Sequence, residues 1–328
     1  MHFLNQDISP LGMGCWPIGG AMYSGTQSLG YTRADDATSL RTIHAALASG
    51  ISFFDTAAAY GAGHSERLLG RALNAHPEAL IATKIGIGID EAQRQISFDP
   101  FTPDMVVSAV DGSLDRLNRD RIDLLLLHLN DLAIPEAGAV FEALDQVQEA
   151  GKIRAYGWST DYADRAAAMA SRHNFKAVEF AMNVFFDAPR MQSVIGDHGL
   201  YALIRSPLAM GVLSGQYDGA TVLPSDDIRA SGAEWMEYFK DGRANPGHMK
   251  TLNAIRDLLT TGGRTLVQGA LGWIWGQSQT HIPIPGARTP EQIEGLAASL
   301  SYGALPADVM GEIEALVVRD PDAPDRPR

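Results

Sequence analysis

Two textures alternate along the chain. Short apolar, β-prone runs occur at residues 11–15, 51–55, 80–83, 122–127, 153–158, 177–180, 200–204 and 282–284. Between them lie longer stretches with apolar residues at three- and four-residue spacing, over 40–49, 66–73, 104–117, 139–150, 163–172, 189–195, 266–275 and 290–299. Uninterrupted apolar runs of this length suit strands buried on both faces, and the intervening periodicity suits helices that cover them. Gly50 and Gly151 stand where two of those helices should end.

Strand–helix–strand repetition predicts parallel strands joined by right-handed crossovers. Eight strands favour closure into a (β/α)8 TIM barrel of the α/β class over an open doubly wound sheet. One domain over residues 1–328 is expected, because no internal repeat, linker or low-complexity tract interrupts the pattern. Two segments do break the alternation, 86–103 and 208–246. Each follows a strand, which places it on the face where a barrel keeps its chemistry. The second carries Trp235, Tyr238 and Phe239, aromatics expected to close over a site.

Composition narrows the functional classes. With 45% hydrophobic residues in 328, the chain can build its core without a metal or disulfide staple. Its single cysteine, Cys15, excludes an internal disulfide framework, suits a reducing compartment and reads as packing. Lys and Arg number 26 against 39 Asp and Glu, a net charge of −13 with no basic block. Nucleic acid and anionic membrane are therefore poor partners, and a small molecule is the expected one. Residues 1–10 lack the cationic and apolar regions of a secretory signal, and no apolar run is long enough to span a bilayer. A cytoplasmic location is expected; oligomeric state is left open.

The strand exits carry the candidate chemistry. Asp55 closes the second run, Lys84 the third and His128 the fourth, while Tyr60 lies five residues beyond Asp55. A phenol titrates near ~10, too high for easy proton exchange at neutral pH, and a neighbouring ammonium lowers that value. Asp55 would hold Lys84 charged and aimed, and His128 would orient a carbonyl or share in the relay. The set makes a general acid that protonates an oxygen while hydride arrives at carbon, with no metal required. Taken singly, each has a structural explanation: a helix cap for Asp55, a surface lysine, a hydrogen-bonded histidine, a packed tyrosine. Their convergence at equivalent strand exits favours the chemical one.

Longer motifs surround these residues: Phe54-Asp-Thr-Ala-Ala-Ala-Tyr60-Gly61, His64-Ser65-Glu66, Leu69-Gly70 and Ile81-Ala-Thr-Lys84. Further along come Ser113-Leu-Asp-Arg-Leu, Ile122-Asp-Leu-Leu-Leu-Leu-His128, Gly151-Lys-Ile-Arg-Ala-Tyr-Gly157, Ser206-Pro-Leu with Gly211, and Ile284-Pro-Gly286-Ala-Arg288. In order and spacing this set resembles the aldo-keto reductase superfamily. The resemblance implies a barrel oxidoreductase with Asp55, Tyr60, Lys84 and His128 as catalytic tetrad, Tyr60 being the acid/base.

The same resemblance implies a nicotinamide dinucleotide extended across the barrel mouth. Gly12-Met-Gly14 lacks the third glycine of the two-lobed dinucleotide fold and reads as a tight bend. Ser159, Glu179 and Asn183 would meet the carboxamide and Arg205 the ring. Ser206, Leu208 and Gly211 would line the pyrophosphate path; Gly286, Arg288 and Gln292 would surround the adenosine end. Trp16 would wall the substrate site.

Four positions depart from the family pattern: Glu179 replaces glutamine, Arg205 an aromatic, Gln216 a lysine, and Gly295-Leu296 a Glu-Asn pair. Arg288 is the candidate for a 2′-phosphate, which favours NADP(H) over NAD(H). Reduction of aldehydes or ketones is the leading function. NAD-dependent oxidation of a sugar at its anomeric carbon is the alternative, and a cofactor-sensing auxiliary subunit is a third.

Overall fold

A computed structural model describes residues 1–224, 226–233 and 236–319, so Trp235 lies outside the described residues. Eight strands form one sheet: β1 (Met13–Gly14), β2 (Phe53–Asp55), β3 (Leu80–Ile85), β4 (Ile122–Leu127), β5 (Ile153–Ser159), β6 (Phe175–Ala181), β7 (Tyr201–Arg205) and β8 (His281–Pro283). They lie side by side in that order, every ladder parallel. The ends meet: Gly12 N donates to Pro283 O and Gly14 N to Pro285 O, both at 3.0 Å. A Cβ on Gly14 would stand 2.5 Å from Ile284 O, so only glycine permits that approach. The expected barrel is present.

The helices are α1 (Asp36–Ala48), α2 (His64–Ala72), α3 (Val106–Leu117), α4 (Ile134–Glu149), α5 (Ala163–Met169), α6 (Pro189–His198), α7 (Pro246–Leu259), α8 (Leu266–Gln277), α9 (Pro290–Ala297) and α10 (Ala307–Leu316). Several start earlier than the apolar spacing indicates because caps decide the start. Asp35 Oδ1 accepts from Thr38 N at 2.8 Å and opens α1. Pro135 sits in the first turn of α4, where its missing N–H costs nothing. The sequence pattern did not announce α7 or α10. Segment 86–103 holds a hairpin, Gly88–Asp90 with Gln95–Ser97, whose second strand also pairs with Tyr23–Ser24.

Side chains alternate between the two faces of every strand. Phe53, Leu80, Ala82, Leu124, Leu126, Ala155, Ala177, Leu203 and Ile282 pack inside the barrel. Their neighbours Phe54, Ile81, Leu125, Tyr156, Val178 and Ile204 pack against the helices. An N-terminal hairpin, His2–Phe3 with Gln6–Asp7, drives Phe3 into the strands' N-terminal end against Phe53, with ring centres 5.5 Å apart. Apolar residues thus fill the lower interior. Continuing the same alternation to the C-terminal ends brings Asp55, Lys84, Ser159, Glu179 and Arg205 onto the inner face. No helix among the described residues is long and apolar enough to cross a membrane.

Candidate active site

Lys84 is wholly buried at the top of the interior. Its Nζ donates to both Asp55 oxygens at 2.7 and 2.8 Å, to Thr56 O at 2.9 Å and to the Tyr60 hydroxyl at 3.2 Å. A second carboxylate also reaches it: Glu179 Oε2 stands 3.0 Å from Nζ, and Glu179 Oε1 accepts from Ser159 Oγ at 3.2 Å. One ammonium therefore serves two buried carboxylates and a phenol. Burial and the charge of Glu179 raise the Asp55 carboxyl well above its ordinary range, with Lys84 opposing. Lys84 rises above the ordinary lysine value, because the two carboxylates outweigh its loss of solvent.

Tyr60 is half-buried in a tight turn after β2. Gly61 takes φ +63°, and a Cβ there would lie 1.9 Å from Gly19 O, so glycine is required. Trp16 stacks on the Tyr60 ring at 6.2 Å and 28°, while His128 meets it edge-on at 6.0 Å. The tetrad residues and Trp16 are thus brought together. Lys84 does pull the Tyr60 pKa down as the sequence suggests, but burial is the larger effect and Asp55 and Glu179 add to it. The phenol ends up raised to about 12.

Strands β5 to β7 carry the next residues. Asn183 donates its amide to Ser206 O at 3.0 Å and to the Tyr238 hydroxyl at 2.8 Å, while its Oδ1 accepts from Phe185 N at 3.0 Å. Both amide hydrogens are committed inside the protein, leaving the oxygen's second lone pair for a ligand. Arg205 is paired with Asp161, a residue not singled out from sequence although it too lies just past a strand exit. Asp161 also accepts from Ala181 N at 2.9 Å, which locks the pair to β6.

Beyond β7 the backbone is unusual. Ser206, Ala209 and Met210 take φ of 52°, 49° and 55°, beside Gly211 at 104°. Each left-handed non-glycine residue costs on the order of 1 kcal/mol or more, and such strain collects at ligand-binding sites. No sequence pattern reports it. Leu208 lies within this turn and is half-buried.

At the outer rim, Gln292 Oε1 accepts from Arg288 N at 2.8 Å, and Thr289 caps α9. Gly286 packs against Pro17, which a Cβ would approach to 2.5 Å. Arg288 is exposed, its guanidinium 5.8 Å from the Tyr31 ring centre. It lines a cleft of about 230 Å³ together with Tyr31, Arg33, Asp226, Asp227 and Arg229. That cleft does not touch the tetrad. Of the loop aromatics, Tyr238 reaches Asn183, whereas Phe239 is buried against Tyr217 with ring centres 5.2 Å apart.

Other motif residues are scaffold. Buried Glu66 accepts from Thr83 Oγ1 at 2.5 Å and from Arg116 Nε at 2.6 Å, tying α2 to β3 and α3. Ser65 Oγ donates to Cys15 O at 3.0 Å, and Cys15 is fully buried.

Comparison with known proteins agrees with this geometry. The model of the aldo/keto reductase family matches residues 10–318. Aldo-keto reductase YhdN of Bacillus subtilis is 31% identical over 89% of this chain and 85% of its own length. Aldo-keto reductase yakc of Schizosaccharomyces pombe is 26% identical over 92% and 85%. Among solved structures, the glycerol dehydrogenase AKR11B4 of Gluconobacter oxydans superposes with a TM-score of 0.80 at 27% identity, covering 98% of this chain and 95% of its own. The holo form of aldo-keto reductase AKR11C1 from Bacillus halodurans gives 0.74 at 23%, covering 96% and 94%. The chain belongs to the aldo/keto reductase family.

Proposed function

We propose that this chain reduces aldehyde or ketone carbonyls with NADP(H), with Tyr60 as the general acid and Asp55, Lys84 and His128 completing the site. Its family is one of NAD(P)H-dependent carbonyl oxidoreductases in general; the cofactor form, the subtype and the residue roles are the finer reading. One observation carries it: a single buried ammonium touches both the Asp55 carboxylate and the Tyr60 hydroxyl.

The residues fit a nicotinamide dinucleotide. Trp16 Nε1 and Arg205 Nε are buried near Tyr60 and Asp161 without a hydrogen-bond partner, so polar capacity is left over at the mouth. Arg288 adds a positive charge to a cleft whose other charged lining residues form the ion pairs Arg229–Asp227 and Arg33–Asp226, in a protein of net charge −13. Two solved relatives of 19% and 18% identity, both from Klebsiella pneumoniae, are described as complexes with NADP and NADPH. When bound, the nicotinamide supplies hydride to the carbonyl carbon. Tyr60, neutral because its pKa stands near 12, gives its hydroxyl proton to the carbonyl oxygen. Lys84 then steadies the phenolate left behind, and Asp55 holds Lys84 in place. Trp16 and His128, both packed against the Tyr60 ring, restrict how a carbonyl approaches it.

The likeness to a glycerol dehydrogenase favours one second reading, NAD-dependent oxidation of a polyol or aldose by the same residues in reverse. Fluorescence titration with NADPH and, separately, NADH distinguishes the two. Tight NADPH with weak NADH supports the reductase reading; preference for NADH supports the second; binding of neither rejects both.

A further inference from the structure

The hairpin that follows β3 supplies no member of the tetrad, yet it packs onto the turns that hold Tyr60 and Trp16. Ile96, on its second strand, is buried with Met22, Ala59 and Ala62, and Trp16 lies against the same cluster. Arg94 stands in the turn just before that strand, with a left-handed φ of 55°. Its carbonyl accepts from Tyr23 N at 2.9 Å. Its guanidinium Nη1 donates to Gly19 O at 3.3 Å and to Gly61 O at 3.5 Å. Those oxygens belong to two different turns. Gly19 closes the turn begun by Trp16, its N donating to Trp16 O at 3.1 Å, and Gly61 follows Tyr60 directly. The turns touch through their backbones, since a Cβ on Gly19 would stand 2.9 Å from the Tyr60 carbonyl carbon.

We propose that Arg94 is a positioning residue for proton transfer: by holding Gly19 O and Gly61 O on one guanidinium, it fixes the Trp16 turn against the Tyr60 turn and keeps the phenol on Lys84. This rests on the reading of Tyr60 as the acid. Lys84 Nζ lies 3.2 Å from the Tyr60 hydroxyl, at the long end of the range for such a bond, so a small outward shift of the turn forfeits it. The Tyr60 turn has its own backbone bonds, from Tyr60 N to Ala57 O at 3.0 Å and from Ser65 N to Tyr60 O at 3.1 Å. These fix its shape, whereas the Arg94 bridge sets its place relative to Trp16. A cationic donor shared by two carbonyls holds them more firmly than a neutral one would. Lys84 lies on β3 and Arg94 on the connection leaving β3, so one stretch of chain sets both the ammonium and the clasp on the phenol's turn.

The test compares the wild-type chain with Arg94→Gly, Arg94→Lys and Gln95→Ala. Glycine adopts the left-handed φ without strain, so Arg94→Gly removes the guanidinium and spares the hairpin. Its kcat for a simple aldehyde with NADPH should fall about tenfold, while the NADPH dissociation constant stays within about threefold of wild type. The charges facing the phenol, Lys84, Asp55 and Glu179, are all retained. With Lys84's hold loosened, the rise of alcohol oxidation with pH should still move upward, as for loss of Lys84 itself. Arg94→Lys, which keeps a cationic donor, should recover part of both effects. Gln95→Ala removes a different bond of the same hairpin, Gln95 Nε2 to Gly25 O at 3.2 Å, and should leave kcat within about twofold. Amide exchange over residues 57–64, read by mass spectrometry, should quicken in Arg94→Gly and not in Gln95→Ala. A purely structural role would lower the unfolding midpoint and leave kcat and the pH profile in place; that result, or unmoved exchange, overturns the proposal. Should Arg94→Gly fail to fold, Arg94→Asn, which tolerates the same φ and is too short to reach either carbonyl, is read in the same way. A Tyr60→Phe protein active at the wild-type rate removes the underlying reading; inactive Tyr60→Phe beside fully active Arg94→Gly removes this inference alone.

Discussion

Lys84 Nζ lies 3.2 Å from the Tyr60 hydroxyl and 4.9 Å from the centre of its ring, so the ammonium meets the phenol from beneath its oxygen. It is the one group identified as lowering the Tyr60 pKa by both charge and hydrogen bond, against burial and two carboxylates that raise it. Lys84→Met should therefore move the rise of alcohol oxidation with pH upward by about one unit or more. It should also cost about 3–5 kcal/mol of stability, because Asp55 and Glu179 lose their shared counter-charge. A pH–rate profile superimposable on wild type would contradict the role given to Lys84.

Arg288 is exposed at the start of α9, where the helix N-terminus adds a positive dipole end. Arg288→Ala should weaken NADPH by about tenfold or more and leave NADH within a factor of about two. Isothermal calorimetry with each cofactor reads this directly. Equal losses would show that Arg288 does not distinguish a 2′-phosphate.

Glu66 is completely buried and depends on Arg116 for its charge balance. Burial raises its pKa, and the Arg116 guanidinium is the first influence opposing that. Arg116→Met should destabilise the fold by about 3–5 kcal/mol in urea or thermal unfolding, by leaving that carboxylate unpaired. Glu91, which also contacts Arg116, is partly exposed, and Glu91→Gln should cost less than about 1 kcal/mol. Similar losses in the two variants would refute this ranking.

His281 on β8 is buried, and burial lowers its pKa from 6.5 to about 4. The unfolded chain then binds a proton near pH 6.5 that the folded chain refuses until about pH 4. Stability must fall with acidification across that window, by about 3 kcal/mol in total. His281→Leu should flatten this limb when unfolding free energy at pH 7 and pH 4 is compared. Identical acid losses in variant and wild type would place the sensitivity elsewhere.

The barrel was legible in the sequence because strands buried on both faces read as unbroken apolar runs, as in residues 122–127. The two-residue strands of the N-terminal hairpin are too short to carry such a signal. Helix α7 was hidden by the long loop before it; its start is set by the Asn245 cap and Pro246. Asp55, Lys84 and His128 were legible as candidates because each stands at a strand exit, and Tyr60 because it follows Asp55 by five residues in the next loop. The Glu179–Lys84 contact was not, since it joins β6 to β3 across the barrel and depends on closure. Period-two counting from Ala177, a buried interior residue, would have put Glu179 on the same inner face. The net rise of the Tyr60 pKa was equally hidden, because charges can be read from residue types but burial cannot.

The central claim is that the Tyr60 hydroxyl carries the proton exchanged with substrate, and Tyr60→Phe tests it most directly. Removing one oxygen leaves Trp16 and His128 their aromatic contacts with the ring. Steady-state turnover of a simple aldehyde with NADPH should fall by about 10²-fold or more, while the NADPH dissociation constant stays within about threefold of wild type. A Tyr60→Phe protein that turns over at the wild-type rate would contradict the account.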